Sequence, residues 1–148
     1  KIRHTQPKQA QEIRRIFQIS YIVEAKLLGA TYFPPLHRPL EQFINCANDF
    51  FGYYEDNTLV AVIEMKRGHH MHIQSLVVDP MYFRRGIASQ LITYVLSHYE
   101  KDIFTVETGR DNPPARKLYE SFGFVLQKTY TAAENIVKVR YQKVVSQP

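Results

Sequence analysis

With 148 residues, 45% of them hydrophobic and 13% aromatic, the chain has the material for one buried core. It shows no run near the roughly eighteen apolar residues of a membrane-spanning helix and no secretory signal, so no membrane role is expected. A net charge of +5 permits attraction to an anion, whether a nucleotide cofactor, nucleic acid or an acidic surface. Lys1, Arg3, Lys8, Arg14, Arg15, Arg38, Lys66, Arg67 and Lys138 are scattered, however, which is the pattern of a solvated surface.

Ile2 to His4 reads as a short edge strand. A helix begins after Pro7, with Ile13, Ile16, Phe17 and Ser20 on its buried side. Gly29 to Pro39 interrupts the periodicity with an aromatic and proline-rich turn holding Tyr32, Phe33, Pro34, Pro35 and His37, and a second short helix starts near Leu40. Strands follow at Phe50 to Glu55, Leu59 to Lys66 and His70 to Val78, with turns at Asp56-Asn57 and Gly68. A helix from Ile87 to Tyr99 leads to a fifth strand, Ile103 to Glu107, and then to a helix around Ala115. Two closing strands are expected at Val125 to Thr131 and Ile136 to Val144.

The order β-α-α-β-β-β-α-β-α-β-β does not alternate strictly. It therefore predicts an α+β fold, with a mixed and mostly antiparallel sheet of about seven strands flanked by about four helices, rather than a doubly wound sheet. No repeat, low-complexity tract or linker divides residues 1–148, which read as a single domain.

The junction after Val78 looks built to hold phosphate. Leu76, Val77 and Val78 end a strand, and Phe83, Arg84, Arg85, Gly86, Ile87, Ala88 and Ser89 lead into a helix. A helix start offers unpaired N–H groups and a partial positive charge, so main chain alone can bind a polyphosphate where side chains are small. Gly86, Ala88 and Ser89 are small, and Arg84 and Arg85 add charge. The chain contains neither Gly-x-x-x-x-Gly-Lys-Ser/Thr nor Gly-x-Gly-x-x-Gly, which argues against ATP and dinucleotides.

A second segment, Asn112-Pro113-Pro114-Ala115-Arg116-Lys117-Leu118-Tyr119-Glu120-Ser121-Phe122-Gly123-Phe124, has an N-cap in Asn112, prolines suited to a first helical turn and a stop at Gly123. Ala115, Leu118, Tyr119 and Phe122 share one face.

Together these two segments resemble the GNAT family of N-acetyltransferases. The first is similar to the family's acetyl-CoA loop, Gln/Arg-x-x-Gly-x-Gly/Ala, aligned on Gly86 and Ala88. Phe83 falls where that loop has a polar residue, and Arg84 is a candidate substitute. The second is similar to the family's Asn-x-x-Ala-x-x-Leu-Tyr-Glu motif, in which the Asn and the Tyr approach coenzyme A and the Tyr hydroxyl lies near its sulfur. The resemblance covers the second half of the chain closely and the first half only in its order of elements.

It implies the acyl-CoA N-acyltransferase fold, acetyl-CoA as cofactor, and strands corresponding to His70–Val78 and Ile103–Glu107 that splay apart. The pantetheine arm enters that gap and bonds like an added strand, using main-chain groups around Leu76 to Val78. It further implies a small-molecule or peptide amine as acceptor, with no nucleic-acid partner.

Acyl transfer to an amine requires deprotonation of an ammonium, attack on a thioester, stabilisation of an oxyanion and departure of a thiolate. Tyr119 is the candidate proton donor to the sulfur, against a plain core role on its apolar face. A main-chain N–H near Val78 is the expected oxyanion donor. Strand alternation places His70, His72, Gln74, Leu76 and Val78 on one face. Relatives often carry a Glu where this chain has Gln74 or His72, so His72 is the candidate base, with Glu64 and Glu107 as alternatives.

His69, His70 and His72 lack a third ligand at recognisable spacing, so no metal is expected. The single cysteine, Cys46, cannot form an internal disulfide, which favours a reducing compartment and a cytoplasmic location. No activating partner marks it as a nucleophile, and it reads as a structural thiol. The resemblance implies an acceptor site formed largely by the first two helices and their connecting turn, which here points to Tyr21, Glu24, Tyr32 and Phe33, with Glu107 as a further candidate, and carboxylates and rings suit a cationic amine. The same residues equally suit closure of the core or a dimer contact, so monomer and homodimer both stay open. Two other classes remain: a catalytically silent acyl-CoA-binding module of the same fold, and a basic nucleic-acid-binding domain.

Overall fold

The structure, a computed structural model, describes residues 1–30 and 33–145, with Glu134 described by its main chain alone. Its elements are α1 (Pro7–Leu28), a 3-10 turn (Pro34–His37), α2 (Leu40–Ile44), β1 (Asp49–Glu55), β2 (Thr58–Lys66), β3 (Met71–Val78), α3 (Ile87–His98), β4 (Ile103–Gly109), α4 (Pro113–Ser121), β5 (Val125–Thr131) and β6 (Val137–Val144). The strands form one sheet in the order β1-β2-β3-β4-β6-β5. Every neighbouring pair is antiparallel except β3 and β4, whose parallel pairing needs the crossover that α3 supplies.

The described sheet thus has six strands, not the expected seven. Ile2 does donate its N–H to the Phe50 carbonyl at 2.8 Å, but Gln6 N–H then bonds back to Arg3 and Pro7 opens α1. The segment turns into the helix after one ladder bond. Elsewhere the predicted elements stand within a residue or two, because their boundary residues act locally. Pro7 sits in the first turn of α1, Gly29 ends it with φ 65°, and Asn112 caps α4 by accepting the Ala115 N–H at 3.3 Å.

Two cores sandwich the sheet. On one face α1 and α2 pack Ile13, Ile16, Phe17 and Phe43 against Phe50, Leu59, Val62 and Val77. On the other, Ile87, Leu91, Ile92 and Val95 of α3 and Tyr119 of α4 pack against Ile63, Ile73, Phe104, Val106, Val139 and Tyr141. Among the described residues no helix is long and apolar enough to cross a membrane.

The sheet has one irregularity that matters for the site. Met65 lies opposite Ile73 and Glu64 opposite Ser75, so Gln74 is an extra residue in β3. Before it, Met71 and Ile73 enter the α3 core; after it, Leu76 and Val78 pack on that core while Val77 enters the α1 core. The continuous alternation expected from His72 through Gln74 to Leu76 and Val78 is therefore broken by a bulge.

Glu64 joins β2 to the turn before α2. It is fully buried, and accepts from both terminal nitrogens of Arg38 (2.8 and 3.0 Å) and from Asn48 Nδ2 (2.9 Å). The Arg38 guanidinium also lies 4.1 Å from the Phe43 ring centre. Burial alone would raise the Glu64 carboxyl, but these donors outweigh it and hold it below its ordinary 4.5. A lowered carboxyl contributes stability that is present above the unfolded value and lost as pH falls through the folded one.

Glu64→Gln should therefore cost about 3–5 kcal/mol in urea unfolding at neutral pH, because it strands a half-buried guanidinium. The deficit should narrow below pH 4.5. A loss of about 1 kcal/mol or less, the range of exposed pairs, would show that Arg38 finds water instead.

Candidate active site

β3 and β4 pair only at Met71–Phe104, His72–Thr105 and Ile73–Val106. Beyond that point the strands diverge, and the β4-facing main-chain groups of Gln74 to Val78 have no strand partner. A cavity of about 270 Å³ fills the wedge. Leu76, Val78, Phe83 and Ala88 form one wall, and Val106, Thr108, Asn112, Ala115 and Tyr119 the other. A second cavity of about 190 Å³ opens on the α1 side, lined by Phe33, Arg38 and Lys138, and shares Tyr21, Glu24, Gln74, Ser75, Glu107 and Thr108 with the first. The two spaces meet where β3 carries its extra residue.

The loop after β3 presents main chain. Gly86 is the N-cap of α3 with φ 73° and no side-chain cap, and the first helical bond is Gln90 N–H to Gly86 at 3.1 Å. The N–H groups of Ile87, Ala88 and Ser89 find no acceptor among the described residues. A Cβ added at Gly86 would meet no atom within 4 Å, so the space in front of the helix start is open. Arg84 has φ 63°, a left-handed conformation that costs an L-residue about 1 kcal/mol. Arg85 pairs with Glu55 at 3.8 Å and lies over Tyr82. Ile87 points into the α3 core and Val77 into the α1 core, so only their main chain can serve the cleft.

On the opposite wall Asn112 does two things at once. Its Oδ1 caps α4, and its Nδ2 donates to Glu24 Oε1 at 3.2 Å, tying α4 to the end of α1. Tyr119 is buried, its ring packed on Phe124 and Tyr141. Its hydroxyl makes no hydrogen bond, yet no described buried side-chain polar atom lacks a partner, so that oxygen opens to the cleft. Burial and the nearby Glu24 charge push the phenol up, which keeps it protonated at neutral pH.

The three carboxylates near the cleft differ in what surrounds them. Glu64 is saturated by Arg38 and Asn48. Glu107 accepts from Tyr130 and from Arg140 (2.9 Å); burial would raise it, but these bonds hold it low. Glu24 forms no ion pair among the described residues. Burial pushes it up, only partly offset by Asn112 and the more distant Lys138.

His72 sits below the divergence, bonded through Nδ1 to Thr105 Oγ1 at 2.8 Å, and burial with the Arg140 charge lowers it. Cys46 lies 3.5 Å from an Arg38 nitrogen, but burial dominates and raises its thiol. Among the described residues no three His, Cys, Asp or Glu side chains converge as metal ligands.

Residues 24–145 match the model of the acetyltransferase (GNAT) domain. The chain belongs to the GNAT family. It is 30% identical over 138 residues to the UPF0157 protein YqkA of Bacillus subtilis, a match covering 92% of this chain and 40% of YqkA. The chain spans about half the length of the curated relatives it matches. Among solved structures it is similar to a GNAT acetyltransferase of Streptococcus agalactiae, with TM-score 0.80, 13% identity, and 96% and 93% of the two chains covered. It is also similar to yncA of Salmonella typhimurium, solved with its cofactor acetyl-CoA, with TM-score 0.75, 11% identity and 97% and 92% covered. Neither the silent-module nor the nucleic-acid alternative draws support from these matches.

Within this GNAT chain the structure gathers Leu76, Val78, Phe83, Ala88, Asn112, Ala115 and Tyr119 around one cavity, with Glu24, Gln74 and Glu107 at its junction with the other. It leaves the His72 side chain outside both. Phe33 is buried against Ala25 and Ile136 at the far end of the second cavity. Tyr32 lies outside the described residues. The sequence pattern did not mark Ser75 or Thr108, and it placed Lys138 among the cations of a solvated surface, whereas Lys138 lines the second cavity. Lys138 was readable from β6, where Val139 and Tyr141 alternate with Lys138 and Arg140 and fix the cations on the opposite face.

A half-buried carboxyl with no ion-pair partner among the described residues should titrate high. In carboxyl carbon-13 NMR, Glu24 should show a midpoint above 4.5, and Asn112→Ala should raise it further by removing the one donor. A midpoint at or below 4.5 in the unaltered protein would mean that water or Lys138 solvates the group fully.

Proposed function

We propose that this chain is an acetyl-CoA-dependent N-acetyltransferase acting on a primary amine, with residues 1–148 working as one acetyltransferase domain. The observation that carries the reading is the coincidence of a bare helix N-terminus and an unclaimed phenol oxygen on the two walls of one strand-splay cavity. The residues fit the cofactor. The free N–H groups of Ile87, Ala88 and Ser89, with Arg84 beside them, suit a pyrophosphate, and the unpaired edge of β3 with Leu76, Val78, Phe83 and Ala115 suits a pantetheine arm.

When bound, acetyl-CoA supplies an acetyl group activated as a thioester, so that a carbon–nitrogen bond forms as the carbon–sulfur bond breaks. Glu24 holds the acceptor ammonium and takes its first proton, which later leaves to solvent. Of the three carboxylates it is the one with no cation at contact distance and a raised proton affinity, which favours it as the base. Tyr119 gives its proton to the departing sulfur and recovers one from the nitrogen as that becomes an amide. Net products are amide, thiol and one proton. Gln74, at the meeting point of the cavities, orients the acceptor. His72 takes the positioning role of holding Thr105 at the last paired rung before the splay.

Gly86→Glu should abolish acetyl-CoA binding in calorimetry, by placing bulk and negative charge at the helix start. The protein should remain folded at some cost in backbone strain, since a Cβ at this position meets no atom within 4 Å although φ is 73°. Gly86→Ala controls for backbone strain alone, and unchanged affinity in the Glu variant would end the loop assignment. Tyr119→Phe should retain acetyl-CoA affinity while turnover drops about 10²-fold. Equal turnover would return Tyr119 to the core.

A further inference from the structure

We infer that the acceptor is a small amine that also carries a carboxylate, an amino acid in the broad sense, held between Glu24 and Lys138; this rests on the acetyl-transfer reading above. Glu24, Arg38, Glu107 and Lys138 are the charged side chains lining the acceptor cavity among the described residues, and the protein has already neutralised two of them. Arg38 is spent on Glu64 at 2.8 Å, and Glu107 is spent on Arg140 at 2.9 Å. Among the described residues, Glu24 and Lys138 remain. Both line the cavity without reaching ion-pair distance, so it presents one carboxylate and one ammonium with space between them.

Lys138 is fixed there by register. It sits on β6 opposite Gly109 of β4 and Tyr130 of β5, half-buried, with Val139 after it locked in the opposite core. A zwitterion satisfies both groups, with its ammonium at Glu24 and its carboxylate at Lys138. A diamine would instead bring a second cation against Lys138, and an amine with no anion would leave Lys138 unanswered. The cavity of about 190 Å³ is smaller than the roughly 300–1,000 Å³ of sites for drug-sized ligands, which suits a small acceptor. Phe33 and Leu28 offer an apolar wall to its side chain.

Thiol release from acetyl-CoA by the purified full-length protein would be measured with L-amino acids, the same amino acids as primary amides, and polyamines. The amino acids should exceed their amides in kcat/KM by about tenfold or more, the effect of one charge-assisted contact. Lys138→Met should erase that preference by raising KM for the amino acids alone, and Lys138→Arg should restore part of it. Calorimetric binding of the best amino acid in the presence of coenzyme A should follow the same ranking without turnover.

Amides or polyamines used as well as the amino acids, or a preference that survives Lys138→Met, would overturn the inference while leaving acetyl transfer intact. No thiol release with any amine would overturn both. Should Lys138→Met fail to fold, the ranking of amino acid over amide in the unaltered protein, with Lys138→Gln as second variant, decides the matter.

Discussion

Three parallel residue pairs are all that join the two halves of the sheet, and the rest of the molecule depends on where they stop. The ladder ends at Ile73–Val106, and the next residue of β3 is the unpaired Gln74. A bulge bends its strand and increases local twist. β3 then continues with β2 as far as Val78 opposite Ala61, while β4 continues with β6 as far as Gly109 opposite Lys138. Each strand keeps its outer partner and loses its inner one. The main-chain groups left in the wedge cannot stay buried without partners, so the gap must hold water or a ligand. α1 and α4 close the wedge from opposite faces, and the Asn112–Glu24 bond at 3.2 Å is where they meet.

Around this wedge the protein uses one side-chain type, glutamate, for different ends by varying what surrounds it. Glu64 is wholly buried and gains a guanidinium and an amide, so it behaves as a structural anion that fastens the turn before α2 to β2. Glu107 is locked by a phenol and a guanidinium on the open face of β4 and β6. Glu24 has one amide donor and no cation at contact distance, and desolvation dominates it. An anion half removed from water without a cation costs folding stability, and a fold retains that cost where proton exchange is useful. The same reasoning sets Tyr119 apart from Tyr141. Tyr141 donates to Glu120 at 2.7 Å and is occupied, whereas the Tyr119 oxygen is unclaimed.

Much of this was legible in the chain because it rests on local signals. The N-cap at Asn112, the left-handed stop at Gly123, the break at Gly29, the turn at Asp56-Asn57 and the apolar periodicity of α1 all act within a few residues, and all appear where expected. The cleft residues from Leu76 to Ala88 and from Asn112 to Tyr119 were legible for a second reason, since two motifs in fixed order mark them. What was not legible depends on pairing at long range. The bulge at Gln74 follows from β2 register, and it overturns the simple alternation that put His72 and Leu76 on one face. Ile2 to His4 has strand-like residues but turns into α1 before a ladder can form. The distinction between Glu24 and Glu107 lies entirely in partners dozens of residues away, which no spacing rule reveals.

The departure at Phe83 fits the same picture. A polar side chain at that position would help bind an anion, yet Phe83 is half-exposed and lines the cleft beside Leu76, Val78 and Ala88. Its ring extends the apolar wall. The anion-facing work then falls to main chain, and the backbone shows the consequence in Arg84, which adopts a left-handed conformation two residues before the left-handed Gly86. A non-glycine residue held there carries strain, and such strain persists where surrounding structure over-determines it. Here the 3-10 turn at Pro80–Tyr82, fastened by the Asp79 carboxylate to Met81 N–H at 2.9 Å, fixes one end of the loop, and Ile87 in the core fixes the other. Between two such anchors the chain has few residues in which to reverse direction, and the bent loop that results leaves the first N–H groups of α3 facing open space.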